Sequence, residues 1–316
     1  MRDSCSDLDQ RHHEPGTTMT SPVSPARESG PLRVGPEASP LTVLRDNWDA
    51  HAKEWIDWVR DPARQDTYWR FHRDRFLSLV PSAGRLTLDI GCGEGRVARD
   101  LRQRGHRVLG IDCSFTMCQA AADYIEDPSP VAVGDAAQLP LADASADCAV
   151  AFMSLQDIDD MPGAVQEIAR VLADGQKLAL AIVHPMYSAS GKNPDDDFVI
   201  KRPYFTPDLC VSVDTRDSRT MTFYREHRPL QAYIDAVLDA GFSIEKLVEL
   251  TDEAEGKPIP MFLDILAVRR PRENDPIKIP APRGVKTLTR PAIRLVLLSG
   301  LSGLALVAMT LLAFSH

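Results

Sequence analysis

Asp89-Ile90-Gly91-Cys92-Gly93-Glu94-Gly95 carries the clearest chemistry in this chain. Glycines at alternate positions let a backbone turn sharply and let a ligand approach it closely. The apolar run 86–90 before the loop reads as a short buried strand. Residues 94–104 behind it read as a helix that Gly105 ends, so free N–H groups at the helix start point into the loop. Such a loop suits a nucleotide-like cofactor. A dinucleotide wants G-x-G-x-x-G, with its pyrophosphate on the helix N-terminus. Here the spacing is G-x-G-x-G, and Arg96 stands where the third dinucleotide glycine would be. The acids Asp89 and Glu94 would repel a pyrophosphate, whereas they suit a ligand carrying an ammonium and a sulfonium. The loop therefore favours S-adenosylmethionine.

Two more acids stand at matching places. Asp112 ends a second expected strand, 107–111, about 20 residues beyond the loop, where a carboxylate reaches ribose hydroxyls. Asp135 follows a third strand, 131–133, in Gly134-Asp135-Ala136. Its carboxylate could accept from an adenine amino group, and the Ala136 N–H could donate to the ring. Either acid alone reads equally well as a helix N-cap; the combination with the loop is what points to a cofactor.

The elements that position these residues alternate. Helices are expected over 94–104, 115–125 and 161–172, and strands over 86–90, 107–111, 131–133, 147–152 and 177–183. This rhythm predicts an α/β fold, a doubly wound, mostly parallel sheet with right-handed crossovers. A late helix over 230–240 and strands over 242–250 and 262–268 complete the domain. Upstream, apolar residues at helical spacing (Leu44, Trp48, Trp55, Trp58) predict a helix over 41–60, and a second follows over 64–79. Residues 185–228 read as a polar, irregular insertion, and residues 1–40, rich in Ser, Pro, Gly and Arg, as a disordered tail.

The segments LDIGCGEGR, GIDCS, VGDAAQLPLADASADCAVAFMSL and EIARVLADGQKLALAIVHP occur in this order. With them the chain resembles the class I S-adenosylmethionine-dependent methyltransferases, in the branch labelled methyltransferase domain type 11, over about 41–270 and most strongly over 84–185. Asp174-Gly175-Gln176 departs from the usual Pro-Gly-Gly turn. The resemblance implies a Rossmann-like seven-stranded sheet with helices on both faces. It also implies that Asp89, Gly91 and Gly93 frame the methionine part, that Asp112 binds ribose, that Asp135 with Ala136 reads adenine, and that Met153 packs near the cofactor. It makes 41–80 a lid, with Tyr68 and Arg73 as contacts to the cofactor carboxylate.

Methyl transfer needs alignment and a desolvated cleft, and a base only where the acceptor must lose a proton. His184 follows the fifth expected strand at the ligand-binding edge, and His227 precedes the late helix; both are candidate bases. Gln156 and Asp157 lie on the same edge, and Tyr187, Tyr204 and Tyr224 are candidate cleft residues. The expected acceptor is a small organic molecule. A net charge of −9 argues against a nucleic-acid partner. Six scattered cysteines form no C-x-x-C pair and predict neither a disulfide scaffold nor a metal site. The start of the sequence does not read as a secretory signal.

Residues 269–294 carry eight Lys/Arg against two acids, and 295–314 run for 20 residues without a charge. That length predicts a transmembrane helix. The basic flank places the enzyme domain on the cytoplasmic side, and Ser299 with Gly303 could pair two copies into a homodimer. A non-catalytic cofactor-binding or scaffold protein of the same fold is the competing reading; a nicotinamide oxidoreductase is a third.

Overall fold

A computed structural model describes residues 43–63, 66–124, 126–190, 199–252 and 259–271. Its centre is a seven-stranded sheet of β1 (Thr87–Ile90), β2 (Val108–Asp112), β3 (Val131–Val133), β4 (Ala146–Phe152), β5 (Leu172–Val183), β8 (Phe242–Leu250) and β9 (Phe262–Arg269). Their order is β3-β2-β1-β4-β5-β9-β8. The ladders from β3 to β5 are parallel, and β9 lies antiparallel between β5 and β8. The chain leaves β1 toward β2 on one side, and β4 takes the other. The crevice past the carboxyl ends of β1 and β4 is thus the switch point at which open α/β sheets bind ligands.

Side chains alternate across the sheet and build a core on each face. Leu178, Leu180 and Ile182 of β5 join Leu88 and Ile90 on one face. They pack under Met161, Val165 and Ile168 of α6 (Met161–Val171) and Tyr233 and Val237 of α8 (Leu230–Asp239). Ala179 and Ala181 face the other way with Val150 and Phe152. The small β5 residues leave room there for Tyr68, Phe76 and Leu77, and for Val97 and Leu101 of α4 (Arg96–Gln103). The remaining crossover is α5 (Phe115–Ala122), capped by the Ser114 hydroxyl.

Several expected elements take a different form. The helix expected over 41–60 is two, α1 (Val43–Ala50) and α2 (Ala52–Val59), broken at His51. The one expected over 64–79 is a π-helical turn, Tyr68–His72, running into α3 (Arg73–Leu77). Gly95, at a left-handed φ of 87°, delays the start of α4 to Arg96. β5 begins at Leu172, five residues early, because α6 passes directly into it.

The largest correction concerns the span expected to be irregular over 185–228, whose described residues, 185–190 and 199–228, carry regular elements. It holds α7 (Pro185–Ser190) and an antiparallel hairpin of β6 (Asp208–Arg216) and β7 (Arg219–His227). Its two turn residues, Asp217 and Ser218, both have positive φ, 47° and 65°. A primed two-residue turn favours Asn-Gly or Asp-Gly, and Asp-Ser lacks that signal.

The expected tail over 1–40, the basic segment over 272–294 and the apolar run over 295–314 lie outside the described residues. Among the described residues no helix is long and apolar enough to cross a membrane.

Candidate active site

Gly91, Gly93 and Gly95 all take positive φ at the carboxyl end of β1. A Cβ on Gly91 would lie 2.4 Å from the Cβ of Ser154, whose hydroxyl donates to the Ile90 carbonyl at 2.6 Å. The loop is thereby pressed against the end of β4. A Cβ on Gly93 would stand 3.2 Å from the indole nitrogen of Trp55, so α2 covers the loop from the solvent side. Asp112 closes the loop from β2: its carboxylate accepts from the Gly93 N–H at 2.8 Å and the Ser114 N–H at 2.9 Å.

Asp89 is buried, and among the described residues its Oδ2 has no hydrogen-bond partner. Burial, reinforced by the charge of Asp112, pushes its pKa up to about 7. A buried carboxylate oxygen left unpaired is costly, and a cationic donor in the cavity would relieve it. Burial also raises the Asp112 carboxyl, against the two N–H groups that lower it. The orphaned oxygen and the glycine cradle together fit a ligand bearing an ammonium group.

Asp135 uses Oδ1 to accept from the Ala137 N–H at 2.8 Å, and its Oδ2 lies 3.5 Å from the Arg45 guanidinium. Met153, just past β4, has φ 58°, a strained position for a residue with a Cβ, pinned by its N–H bond to the Ala181 carbonyl at 2.8 Å.

All seven expected cofactor residues, Asp89, Gly91, Gly93, Asp112, Asp135, Ala136 and Met153, line one cavity of about 1190 Å³. The two expected bases do not. His184 is a cap: its Nδ1 accepts from the Met186 N–H at 3.1 Å at the start of α7, and its Nε2 lies 3.0 Å from Glu249. Pro185 starts that helix, so the ring folds back over the turn instead of toward the ligand. His227 is fully buried between the Ser188 hydroxyl, 2.7 Å from Nδ1, and the Tyr204 carbonyl, which accepts from Nε2 at 2.8 Å. Tyr68 lines the cavity, but its hydroxyl donates to Asp100. Arg73 holds that same carboxylate through two bonds of 2.7 Å, which takes it away from a cofactor carboxylate. Gln156, Asp157, Tyr187 and Tyr224 do line the cavity, whereas Tyr204 does not.

Among the lining residues, Arg225 and His72 carry no signal in the sequence, and Arg96 stands out there only as the residue at the third-glycine position. Arg96 pairs with Asp66 at 2.6 Å and lies over the Tyr68 ring. Arg225 comes from β7, beside Phe223 and Tyr224. His72 ends the π-helical turn, with Nε2 2.7 Å from the Oδ1 of Asp264 on β9.

The family model for the methyltransferase domain matches residues 88–180. A malonyl-[acyl-carrier protein] O-methyltransferase of Pectobacterium atrosepticum is 36% identical over 115 residues, 34% of this chain and 43% of that protein. The O-methyltransferase resE of Aspergillus sclerotiorum is 35% identical over 139 residues, 42% of this chain and 52% of that protein. The chain thus spans about half the length of these curated relatives. A solved structure from Listeria monocytogenes, assigned as an S-adenosylmethionine-dependent methyltransferase, superposes with a TM-score of 0.50 at 19% identity, over 63% of this chain and 97% of that one.

Proposed function

We propose that this chain, a class I S-adenosylmethionine-dependent methyltransferase by family, methylates a small organic molecule inside the cavity beyond β1 and β4. Its cofactor is S-adenosylmethionine. The observation that carries the reading is the cavity itself. At about 1190 Å³ it exceeds the roughly 300–1,000 Å³ of a pocket for one small ligand, and its walls differ in character. The loop and strand-end acids form one wall. Tyr187, Phe223, Tyr224 and Arg225, from the 185–228 segment, line the cavity too and are aromatic and basic; in this reading they face the acceptor.

In this reading Asp89 meets the ammonium group, Asp112 the ribose and Asp135 with Ala136 the adenine. Met153 packs beside the reacting end. When bound, the cofactor supplies an electrophilic methyl on a sulfonium. The chain's own part is to align the acceptor and keep water out, with Trp55 over the loop. The relatives named as O-methyltransferases favour an oxygen acceptor. The test is a metabolite screen with labelled methyl donor: a labelled small molecule and S-adenosylhomocysteine are expected.

A second reading, a binding protein of this fold without transfer, is favoured by the absence of both expected histidines from the cavity. Cofactor binding with no S-adenosylhomocysteine formed in any extract fraction would decide for it. The domain plan also remains a proposal: a catalytic unit over 41–270 tethered through 271–294 to a membrane helix over 295–314, with the enzyme on the cytoplasmic side. Deleting 295–316 should move the protein from the membrane to the soluble fraction, and an unchanged distribution would refute the tether.

A further inference from the structure

His72 and Asp264 form a buried pair in the wall of the cavity. Each is only 1% exposed, and they approach to 2.7 Å through Nε2 and Oδ1. Asp264 lies in the interior of the sheet, opposite Ala181 of β5 and Val248 of β8, and its Oδ2 has no partner among the described residues. His72 arrives from a π-helical turn, an irregularity that often marks functional sites. The imidazole is packed against the rings of Phe152 and Phe262, at 4.8 and 4.6 Å between centroids, and both rings line the cavity too. Among the described residues nothing hydrogen-bonds to Nδ1 of His72.

A carboxylate on one imidazole nitrogen fixes the neutral ring's proton there. The other nitrogen keeps its lone pair, and the imidazolium that forms on protonation is stabilised. With Nε2–H held by Asp264, the nitrogen left with a lone pair is Nδ1, on a ring that lines the cavity.

We propose that His72, positioned by Asp264, is the general base of the transfer, and that the acceptor is a protic one, a hydroxyl on a flat apolar body such as a phenol. This rests on the methyl-transfer reading above. The O–H bond breaks, its proton goes to Nδ1 and its electron pair forms the new O–C bond; the pair of the broken S–C bond stays on the sulfur of S-adenosylhomocysteine. A carboxylate acceptor or a tertiary amine would leave this base without a task, so the dyad selects against both.

Two measurements on the full-length chain test it. The first needs no turnover: long-range ¹H–¹⁵N spectra of the histidine rings, with His72 assigned by its disappearance in His72→Gln. A neutral Nε2–H ring with unprotonated Nδ1 is expected in mildly alkaline buffer. An Nδ1–H ring, or a permanent imidazolium acting as a structural ion pair, would overturn the proposal. The second compares phenol with 4-nitrophenol, which is already ionised in that buffer. His72→Gln, whose amide can still bond Asp264, should slow transfer to phenol roughly 10²- to 10⁴-fold, the usual reach of general-base catalysis. Transfer to 4-nitrophenolate should change less than about tenfold. Should His72→Gln fail to fold by circular dichroism, Asp264→Asn serves in its place: kcat for phenol should fall with KM unchanged. Equal effects on both phenols, or none on either, overturn the dyad alone. Wild-type protein that binds the cofactor yet methylates neither phenol overturns the phenolic acceptor, whereas no S-adenosylhomocysteine from any extract fraction overturns the transfer reading and the dyad with it.

Discussion

Asp89 must hold an unpaired oxygen in a buried place, and its pKa near 7 follows from that. The sign of the consequence can be worked out. The folded chain keeps a proton that the unfolded chain releases in the ordinary carboxylate range, so this group's contribution to stability declines as pH rises from about 4 to about 7 and is level above. A cationic ligand acts oppositely, because it prefers the ionised carboxylate. Affinity for S-adenosylmethionine should rise about tenfold between about pH 6 and about pH 8, and the rise should vanish in Asp89→Asn; calorimetric titration at the two pH values checks both. In the proposed site Asp112 has a double duty, since its carboxylate also holds the Gly93 N–H. Asp112→Ala should weaken the cofactor by about 10- to 150-fold, given roughly 1.5–3 kcal/mol for a hydrogen bond to a charged group, with circular dichroism unchanged. An unaltered Kd would remove Asp112 from the site. That these residues gather at one cavity was legible because the signals are local: a run of alternating glycines, and acids at strand ends a fixed distance beyond it. His72 was not, because what gives it meaning is Asp264, 192 positions away. His184 misled because its position at a strand end is local, while the direction of its ring is set by the helix it caps.

At the scale of elements, the hairpin and the N-terminal helices secure each other. The Trp48 indole donates to the Tyr224 carbonyl at 2.9 Å, and Glu54 accepts from the Thr222 N–H at 3.1 Å. Asp61 lies 3.6 Å from Arg216 and 3.4 Å from Arg219. Phe223 stands edge-on to Trp55 and Trp58, with centroids 6.2 and 5.9 Å away. Phe223→Ala should therefore cost roughly 2 kcal/mol, less than the 3–5 typical of a fully buried aromatic. It should also speed proteolysis within 43–59, measured by denaturant melts and timed digestion; unchanged cleavage would mean the hairpin does not hold the helices. The parallel strands and α6 were plain in the sequence, since fully buried strands read as short continuous apolar runs and a one-sided helix as a 3.6-residue period. The hairpin escaped notice because a half-exposed pair of strands writes a weak alternation, and its turn at Asp217-Ser218 has no glycine. The break at His51 was not legible, since the periodicity runs through it; both short helices seat on β7.

At the scale of the whole molecule, the cavity draws on the ends of β1, β2 and β4, both lid helices, the π-helical turn and β7. Ligand filling it should stabilise all of them together. With S-adenosylmethionine at about 100 times its Kd, linkage gives about 2.7 kcal/mol, which for a domain of this size raises Tm by roughly 5–10 °C. A thermal melt with and without the cofactor measures this, and a shift below about 1 °C would speak against a shared site. The sheet and its switch point could be expected from the strand–helix rhythm, but the insertion of β9 between β5 and β8 could not, since nothing along the chain encodes which edge a late strand joins. The cover also has a consequence for how the protein is made. The bonds that close it span 168 and 176 positions, and the His72–Asp264 pair spans 192. A ribosome that has released the first 190 residues has delivered the glycine loop and all three of its acids, but no part of β7 or β9. Synthesis thus supplies the half of the site assigned to the cofactor long before Phe223, Tyr224 and Arg225 of the half assigned to the acceptor, and a chain cut short after α7 would keep the former and lack those three residues.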